Sequence, residues 1–491
     1  MASLKSLAKD TAIYGISSIV GRFLNYLLFP LYTHVIAAAS GGNGVITEVY
    51  SYTALLFVML TFGMETTLFR FINREEEQNP LRVYTTVLSL VGSVGLLFVG
   101  IVLLNLGGIA QAMGYADHPE YIGMMAATVA LDAFQAIPYC YLRYQRRPLK
   151  FATLKLSFIL LNVAMNLLFF LVFPRFIEGW TIEVGHVFAI NLACTALITL
   201  GFWKEVLCVR WSFDKALAKR MLSYAWPILV LGIAGILNQT ADKILFPQLV
   251  PGQEGRVQLG IYGAAVKIAM IMALITQAFR YAYEPFVFAS AKKGENSDNR
   301  ATYALTMKYF IIFTLFAFLL VMAYIDVFKH LMGRDYWEGL HTVPIVMVAE
   351  ILMGVYFNLS FWYKLTDRTI WGAWFSGAGC VVLIATNVLL IPHFGYIACA
   401  WAGVAGYGTA TLLSYFVGQK YYPIAYPLRS IGAYVLLTGL LYVAMIFLPD
   451  FIENLYLRLS MNTVLVVLFL LYVIKRDMLL HSLPVIGKYF R

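Results

Sequence analysis

Charged residues are scarce in this chain of 491 residues. Asp, Glu, Lys and Arg together make up 13% of it, hydrophobic residues make up 61%, and the mean hydropathy is +0.75. A soluble domain carries about twice that share of charge, because its surface must face water. The composition therefore excludes an ordinary soluble protein and indicates a chain with many membrane spans.

Motifs that carry chemistry are missing as well. The five cysteines stand singly, with no C-x-x-C spacing and no neighbouring histidine cluster, so the sequence signals neither a metal site nor a redox pair. The motifs G-x-x-x-x-G-K-[ST], H-E-x-x-H and G-x-S-x-G are absent. We therefore expect no catalytic residues, no cofactor and no metal, and we expect any energy to come from a gradient, a membrane potential or the substrate. The net charge of +10 fits Lys and Arg at cytoplasmic helix ends better than nucleic-acid binding.

Fourteen stretches reach the length of about 20 apolar residues that a membrane helix needs. They cover residues 11–36, 47–71, 82–106, 120–142, 150–173, 182–203, 222–249, 259–289, 302–325, 340–363, 370–391, 396–418, 428–448 and 453–474. Lys and Arg gather in alternate loops and at the C-terminal end, whereas loops such as AAASGG and PHFGY carry almost none. The positive-inside rule then predicts that both termini are cytoplasmic.

A short internal echo predicts how the spans are grouped. LLFPLYTHVIAAASGGNGVITEVY, at the end of span one, resembles KILFPQLVPGQEGRVQLGIYGAA, at the end of span seven. A repeat after six spans preserves the direction of the chain, which implies two lobes related about the membrane normal with a site between them. The predicted fold is an all-α polytopic membrane protein with an N-terminal lobe (1–203), a cytoplasmic linker (204–221) and a C-terminal lobe (222–418). Two extra helices and a cytoplasmic tail follow (419–491).

Charged side chains inside the predicted spans are the candidate functional residues, because each costs about 2.5 to 3.5 kcal/mol near a helix centre. The cations are Arg22, Lys243, Lys267 and Arg280, and the acids are Asp132, Asp242, Glu284 and Glu350. For each cation, the sequence leaves open a salt bridge within the protein and contact with an anionic ligand. For the acids, the alternatives are pairing with a cation and coupling to protons or sodium.

Local spacing distinguishes some of these residues. Arg280 and Glu284 lie one helical turn apart and can pair along the helix. Asp242 and Lys243 are adjacent opposite charges. Lys267, thirteen residues before Arg280, points away from that pair and has no local acid partner.

Three stretches resemble a known family. They are the opening LAKDTAIYGISSIVGRFLNYLLFPLYTHVI, the ADKILF of span seven and the LGIYGAAVKIAMIMALITQAFRYAYEPFVF of span eight. They are similar to polysaccharide and oligosaccharide flippases of the multidrug/oligosaccharidyl-lipid/polysaccharide exporter superfamily.

The resemblance implies two six-helix lobes that open alternately to the two sides of the membrane, plus two extra helices. It also implies a substrate: an undecaprenyl-pyrophosphate-linked oligosaccharide carried to the outer leaflet of the bacterial inner membrane for polysaccharide biosynthesis. The pyrophosphate would contact Arg22, Lys267, Arg280 and Lys243, because cations bind phosphate strongly in a low-dielectric cavity. Membrane lipids and glycan polymerases are the other partners that it implies.

Three alternatives follow from the same features. Lipid II flippases carry an acidic-basic pair early in span eight, whereas YGAAVK here places Lys267 later and without the acid. A multidrug or toxin cation antiporter of the same superfamily would want carboxylates, yet span one has none between Thr11 and Ile36. A glycan polymerase or ligase would resemble its relatives in having a large outer loop, and the outer loops here are short.

Overall fold

The computed structural model describes Tyr26 and residues 28–73, 79–207, 213–291, 297–366 and 368–477. The side chains of residues 281, 282 and 284–299 are not among those described. No strand occurs in the described ranges, and twelve helical segments within them are long and apolar enough to cross a membrane. The expectation of an all-helical membrane protein is confirmed.

The count of fourteen spans stays a prediction. The predicted first span lies mostly outside the described residues. The predicted sixth span corresponds to Gly185–Leu200, an apolar helix of 16 residues that is shorter than the other candidates.

The chain divides into two compact units. The N-terminal unit comprises the described residues of Met1–Ala264 together with Asn387–Tyr396, and the C-terminal unit comprises those of Ala265–Thr386 and Ile397–Arg491. In chain order, the described α-helices up to the first boundary are α1 (Leu28–Val35), α2 (Gly42–Thr61), α3 (Met64–Ile72), α4 (Pro80–Leu104), α5 (Leu106–Ala112), α6 (Pro119–Tyr144), α7 (Pro148–Leu167), α8 (Phe173–Phe176), α9 (Gly185–Leu200), α10 (Trp203–Leu207) and α11 (Lys215–Leu249).

The boundary falls within the next helix. The remaining helices are α12 (Gln253–Ala291), α13 (Ser297–Ala323), α14 (Ile325–Phe328), α15 (Val343–Leu359), α16 (Phe361–Leu365), α17 (Ile370–Phe394), α18 (Tyr396–Tyr421), α19 (Leu428–Phe451) and α20 (Leu455–Asp477). Single turns of 3-10 helix lie at Ala38–Ser40 and Lys329–Leu331, a longer one lies at Arg334–Thr342, and a π-helical turn at Leu168–Val172 follows α7.

Local sequence explains where several helices begin. Proline occupies the first turn of α4, α6 and α7, where its missing N–H would have no helical partner. Asp214 caps α11, because its carboxylate accepts hydrogen bonds from the amides of Ala216 at 2.9 Å and Leu217 at 3.1 Å. Both signals can be read directly from the sequence.

The break between α2 and α3 is made by two residues with left-handed backbone. Phe62 has a φ of 32° and Gly63 a φ of 74°, and the span continues after them as α3. A Cβ on Gly63 would lie 3.0 Å from Ile228 of α11, so the glycine also permits close helix packing. This break positions Glu65 and Arg70 on a short helix of their own.

The two segments that echo each other in sequence meet within the N-terminal unit. A Cβ on Gly44 of α2 would lie 1.9 Å from the carbonyl oxygen of Arg256 on α12. A Cβ on Gly260 would lie 2.9 Å from the Gly44 amide, and one on Gly263 would lie 2.4 Å from the Thr47 hydroxyl. The backbones of α2 and α12 therefore approach too closely for side chains at their crossing point.

Within the C-terminal unit, α19 and α20 pack against α13. Lys308 of α13 forms an ion pair with Asp477 at the end of α20, and Tyr434 of α19 donates a hydrogen bond to the same carboxylate. The outward faces are apolar, with Phe451 83% exposed and Leu436 66% exposed, as is typical of helices that face lipid. One carboxylate therefore joins three helices.

Candidate functional site

The predicted site residues are distributed over both units. Arg22 lies outside the described residues, and the side chain of Glu284 on α12 is likewise not described. Lys267 is exposed on α12, whereas Glu350 is half-buried on α15. The remaining predicted residues, Asp132, Asp242, Lys243 and Arg280, have described surroundings.

Asp242 and Lys243 pair with each other on α11. The Lys243 ammonium lies 3.0 Å from each oxygen of the Asp242 carboxylate, and it also donates to the carbonyl of Gln239 at 2.9 Å. Tyr262 of α12 donates a hydrogen bond to Asp242 at 2.8 Å. The buried carboxylate is thus neutralised locally and held by a second helix, an arrangement that favours a structural role.

Asp132 on α6 lies near a cation that the sequence analysis did not select. Lys155 of α7 interacts electrostatically with Asp132, and its ammonium lies 4.3 Å from the ring centre of Tyr139. Both charged side chains are half-buried within candidate membrane spans. The site therefore contains a cation with a carboxylate and an aromatic ring beside it.

A second ion pair extends this cluster. Arg143 lies 3.8 Å from Glu65, and the Cys140 thiol lies between them, accepting from Arg143 at 3.0 Å and donating to Glu65 at 3.6 Å. Lys155 also interacts electrostatically with Glu65 and Arg143. We name Glu65, Asp132, Arg143 and Lys155 the N-terminal charge cluster. Its two acids and two bases come from α3, α6 and α7.

Arg280 lies in a small cavity of the C-terminal unit. Its guanidinium is 5.1 Å from the ring centre of Phe357, and Thr276 and Asn358 also line the cavity. The space measures about 10 Å³, enough for roughly one water molecule. The Thr276 hydroxyl is buried there, with no hydrogen-bond partner among the described residues. Arg280 is thus held among polar and aromatic groups within a membrane span.

A further carboxylate, which the sequence analysis did not select, lies near the beginning of α2. Glu48 is buried, and it accepts a hydrogen bond of 2.5 Å from Tyr115 in the loop before α6. Burial and the nearby carboxylate raise the pKa of Tyr115 well above its usual range, so it stays a neutral donor. Arg256 lies 4.9 Å from the Tyr115 ring centre and donates to the carbonyl of Gly114. This contact ties the loop to α2 and α12.

The fold is similar to that of solved flippases and transporters. It aligns with the lipid II flippase MurJ in its inward closed conformation at a TM-score of 0.72 and 11% identity, over 94% of this chain and 98% of that one. The MATE multidrug transporter DinF-BH gives a TM-score of 0.56 at 16% identity, over 86% and 97% of the two chains. A MOP superfamily transporter from Pyrococcus furiosus gives 0.51 at 13% identity, over 86% and 95%. These likenesses establish the fold, which the chain shares with these solved proteins.

The family follows from the sequence. Residues 7–281, more than half of the chain, match the family described as polysaccharide biosynthesis protein, and the chain belongs to that family. A search of curated proteins gives no match. The resemblance drawn from the sequence is therefore confirmed: the chain belongs to the polysaccharide biosynthesis family and has the fold of the lipid II flippase and the multidrug transporters.

Proposed function

We propose that the protein is a flippase that moves an undecaprenyl-pyrophosphate-linked oligosaccharide from the cytoplasmic to the outer leaflet of the bacterial cytoplasmic membrane. The observation that carries the proposal is the placement of Lys155 and Arg280 inside membrane spans, each beside an aromatic ring. A cation in such surroundings binds phosphate more strongly than it would in water. The aromatic rings beside these cations can pack against the C–H groups on the faces of sugar rings.

We further propose alternating access between two six-helix lobes, with fourteen spans and both termini cytoplasmic. The contact between α2 and α12 supports this architecture. Gly44 and Gly260 occupy comparable places in the two echoing sequences and lie against each other. Contact between comparable residues is what a local two-fold axis produces.

Coupling to protons or sodium is assigned to the intramembrane carboxylates. Asp132 lies in the N-terminal charge cluster beside Lys155, and Glu350 is half-buried on α15. A carboxylate that exchanges a proton or an ion can release a cation for substrate binding. Asp132→Asn and Glu350→Gln should then change the dependence of transport on an imposed gradient, measured in proteoliposomes.

The decisive experiment measures leaflet accessibility. Proteoliposomes would contain a polyprenyl-pyrophosphate oligosaccharide, and a membrane-impermeant sugar-modifying reagent would report the outer pool, with protein-free vesicles as the blank. Protein-dependent modification of the inner pool supports flipping. No modification, with folded protein and several glycans and gradients tried, contradicts it, and uptake of an organic cation would then support the antiporter.

Variants of Arg280 test the role of the cation. Arg280→Gln should slow flipping by about tenfold or more, which corresponds to about 1.4 kcal/mol, whereas Arg280→Lys should retain most activity. Arg300→Gln is the matched control, because Arg300 also lies over a ring, 4.4 Å from Tyr422, but outside the Arg280 cavity. Equal rates for Arg280→Gln and the control would remove Arg280 from the proposed site.

A further inference from the structure

A second, larger cleft lies at the helix ends of the N-terminal unit. It measures about 740 Å³ and is formed between the end of α3 and the first turns of α11. Its principal lining residues are Arg70, Phe71, Lys219, Arg220, Ser223 and Tyr224. The volume lies in the range of about 300 to 1,000 Å³ that is typical of small-molecule sites.

The spacing on α11 places polar groups toward this cleft. Lys219, Arg220 and Ser223 follow Ala216 at intervals of three, four and seven residues, which is one face of a helix. The other face is fixed by burial, since Leu217 and Met221 are completely enclosed in the apolar core of the unit. Rotation of α11 is thereby prevented, and the two cations stay at the cleft.

Arg70 supplies the third cation from the opposite wall. Its guanidinium lies 4.0 Å from the ring centre of Tyr224, and that ring lies 6.2 Å from the ring of Phe71. Stacking on a ring that is itself packed reduces the freedom of the long side chain. Arg70 is therefore held in place before any ligand arrives.

The side chains that line the cleft are basic. Its lining, all of it described, contains three cations and no acid. Asp214 is close enough to act on Arg220, but its carboxylate pairs with Arg82 at 2.8 Å and caps α11. Hydrogen bonding from the Leu217 amide lowers the pKa of Asp214, and the ionised carboxylate lies close enough for the charge of Arg220 to act on it.

Apolar side chains next to the cleft indicate that its ligand is attached to a lipid. Leu222 is 43% exposed and Trp226 is 66% exposed on α11, within one turn of Ser223 and Tyr224. Tryptophan concentrates where membrane and water meet, and cations beside it are placed at the depth of lipid headgroups. Arg70 likewise lies in the last turn of its span.

We propose that this cleft binds the phosphate group of a membrane lipid. Two lipids carry that chemistry: an anionic phospholipid and the pyrophosphate-linked glycan lipid itself. The proposal concerns a place on the N-terminal unit that is separate from Arg280, and it does not depend on flipping.

Native mass spectrometry of the full-length detergent-solubilised protein tests the proposal. The protein is titrated with phosphatidylglycerol and with phosphatidylcholine of the same chains. The test variant carries Arg70→Gln, Lys219→Gln and Arg220→Gln. The control variant removes three exposed cations at other helix ends through Lys420→Gln, Arg429→Gln and Lys475→Gln.

Wild type and the control should prefer phosphatidylglycerol by about tenfold, since each basic residue near an anionic headgroup contributes measurably, and the test variant should lose that preference. Equal preference in the test variant and the control would overturn the proposal. Displacement of both phospholipids by inorganic phosphate at the same concentration would also overturn the proposal, because the site would then not require a lipid. Competition by undecaprenyl pyrophosphate supports the proposal with the glycan lipid as the source, and retention of phosphatidylglycerol in its presence supports a phospholipid.

Asp214→Asn provides a test that does not remove a cation. The amide oxygen of asparagine can still cap α11, but the negative charge beside Arg220 is lost. Binding of phosphatidylglycerol should tighten by about threefold, and the effect should shrink as salt screens the cleft. Unchanged or weaker binding in a folded Asp214→Asn protein would contradict the electrostatic reasoning.

Discussion

Replacing Lys155 by glutamine distinguishes a cation that serves transport from one that only balances charge. The N-terminal charge cluster is neutral as a set, so Lys155→Gln leaves one negative charge uncompensated near Asp132. Removing one partner of a fully buried pair costs about 3 to 5 kcal/mol, and losing the contact with Tyr139 adds about 0.5 to 2 kcal/mol. Because Lys155 is only half-buried, we expect Lys155→Gln to lower the free energy of unfolding by an amount near the lower end of this range, about 3 kcal/mol.

The double variant Asp132→Asn/Lys155→Gln separates the two roles. It restores neutrality, so it should recover at least half of the free energy of unfolding that the single variant loses. SDS unfolding in mixed micelles measures that free energy. If Lys155 contacts the phosphate, flipping should remain about tenfold slower in the double variant even though its stability recovers.

Lys204→Gln is the control for both measurements, since Lys204 is exposed and lies 5.3 Å from the ring centre of Trp203. A stable Lys155→Gln protein would refute the charge-balance reasoning. Normal flipping by the double variant would refute the role in transport.

Two further predictions concern helix packing. Gly44→Val should destabilise the fold by about 1 to 3 kcal/mol or block folding, because the backbone carbonyl of Arg256 leaves no room for a side chain, and a lowered thermal midpoint would report this. Asp477→Asn should loosen α20 by weakening its contacts with Lys308 and Tyr434, and protease cleavage within α20 should become faster.

Each prediction has a matched control. Gly100→Val adds the same side chain to α4, where a Cβ would have nothing within 4 Å, and should leave the thermal midpoint unchanged. Lys475→Gln removes an exposed charge from the same last turn of α20 as Asp477 and should not change cleavage. Equal effects in variant and control would show that the close approach in the first case, or the buried ion pair in the second, does not stabilise the protein.

The sequence was sufficient for the class of fold, because the cost of exposing polar backbone to lipid leaves long apolar helices as the main solution. It was not sufficient for the pairing of Asp242 with Lys243, because neighbouring residues on a helix point to different faces, and only the structure shows the Lys243 side chain reaching the carboxylate. The echo between spans one and seven was visible as spacing alone. That Gly44 and Gly260 touch could not be predicted, because the contact depends on how two distant helices cross.

Lys155 was missed for a different physical reason. It lies only five residues after Lys150, whose neighbours Arg146 and Arg147 indicate a cytoplasmic loop. Its charge was therefore not distinguished from the positive charges of that loop. The available clue was its place inside the predicted span 150–173, the same criterion that selected Asp132. The surroundings of Arg280 also could not be predicted from the sequence, because Phe357 and Asn358 come from a helix more than seventy residues further along the chain.

The cations inside the spans differ in how their pairing responds to helix movement. The difference depends on whether the cation and its acid partner lie on the same helix or on two helices. Lys243 and Asp242 are on one helix and move together, so a rearrangement of helices leaves their pairing intact. Lys155 and Asp132 come from α7 and α6, so a shift between these helices changes the pairing directly. A transporter needs groups whose interaction energy differs between its states, since a ligand can bias only an equilibrium whose states it distinguishes. The contact between Lys155 and Asp132 meets that requirement, whereas the contact between Lys243 and Asp242 does not, although the hydrogen bond from Tyr262 ties Asp242 to α12.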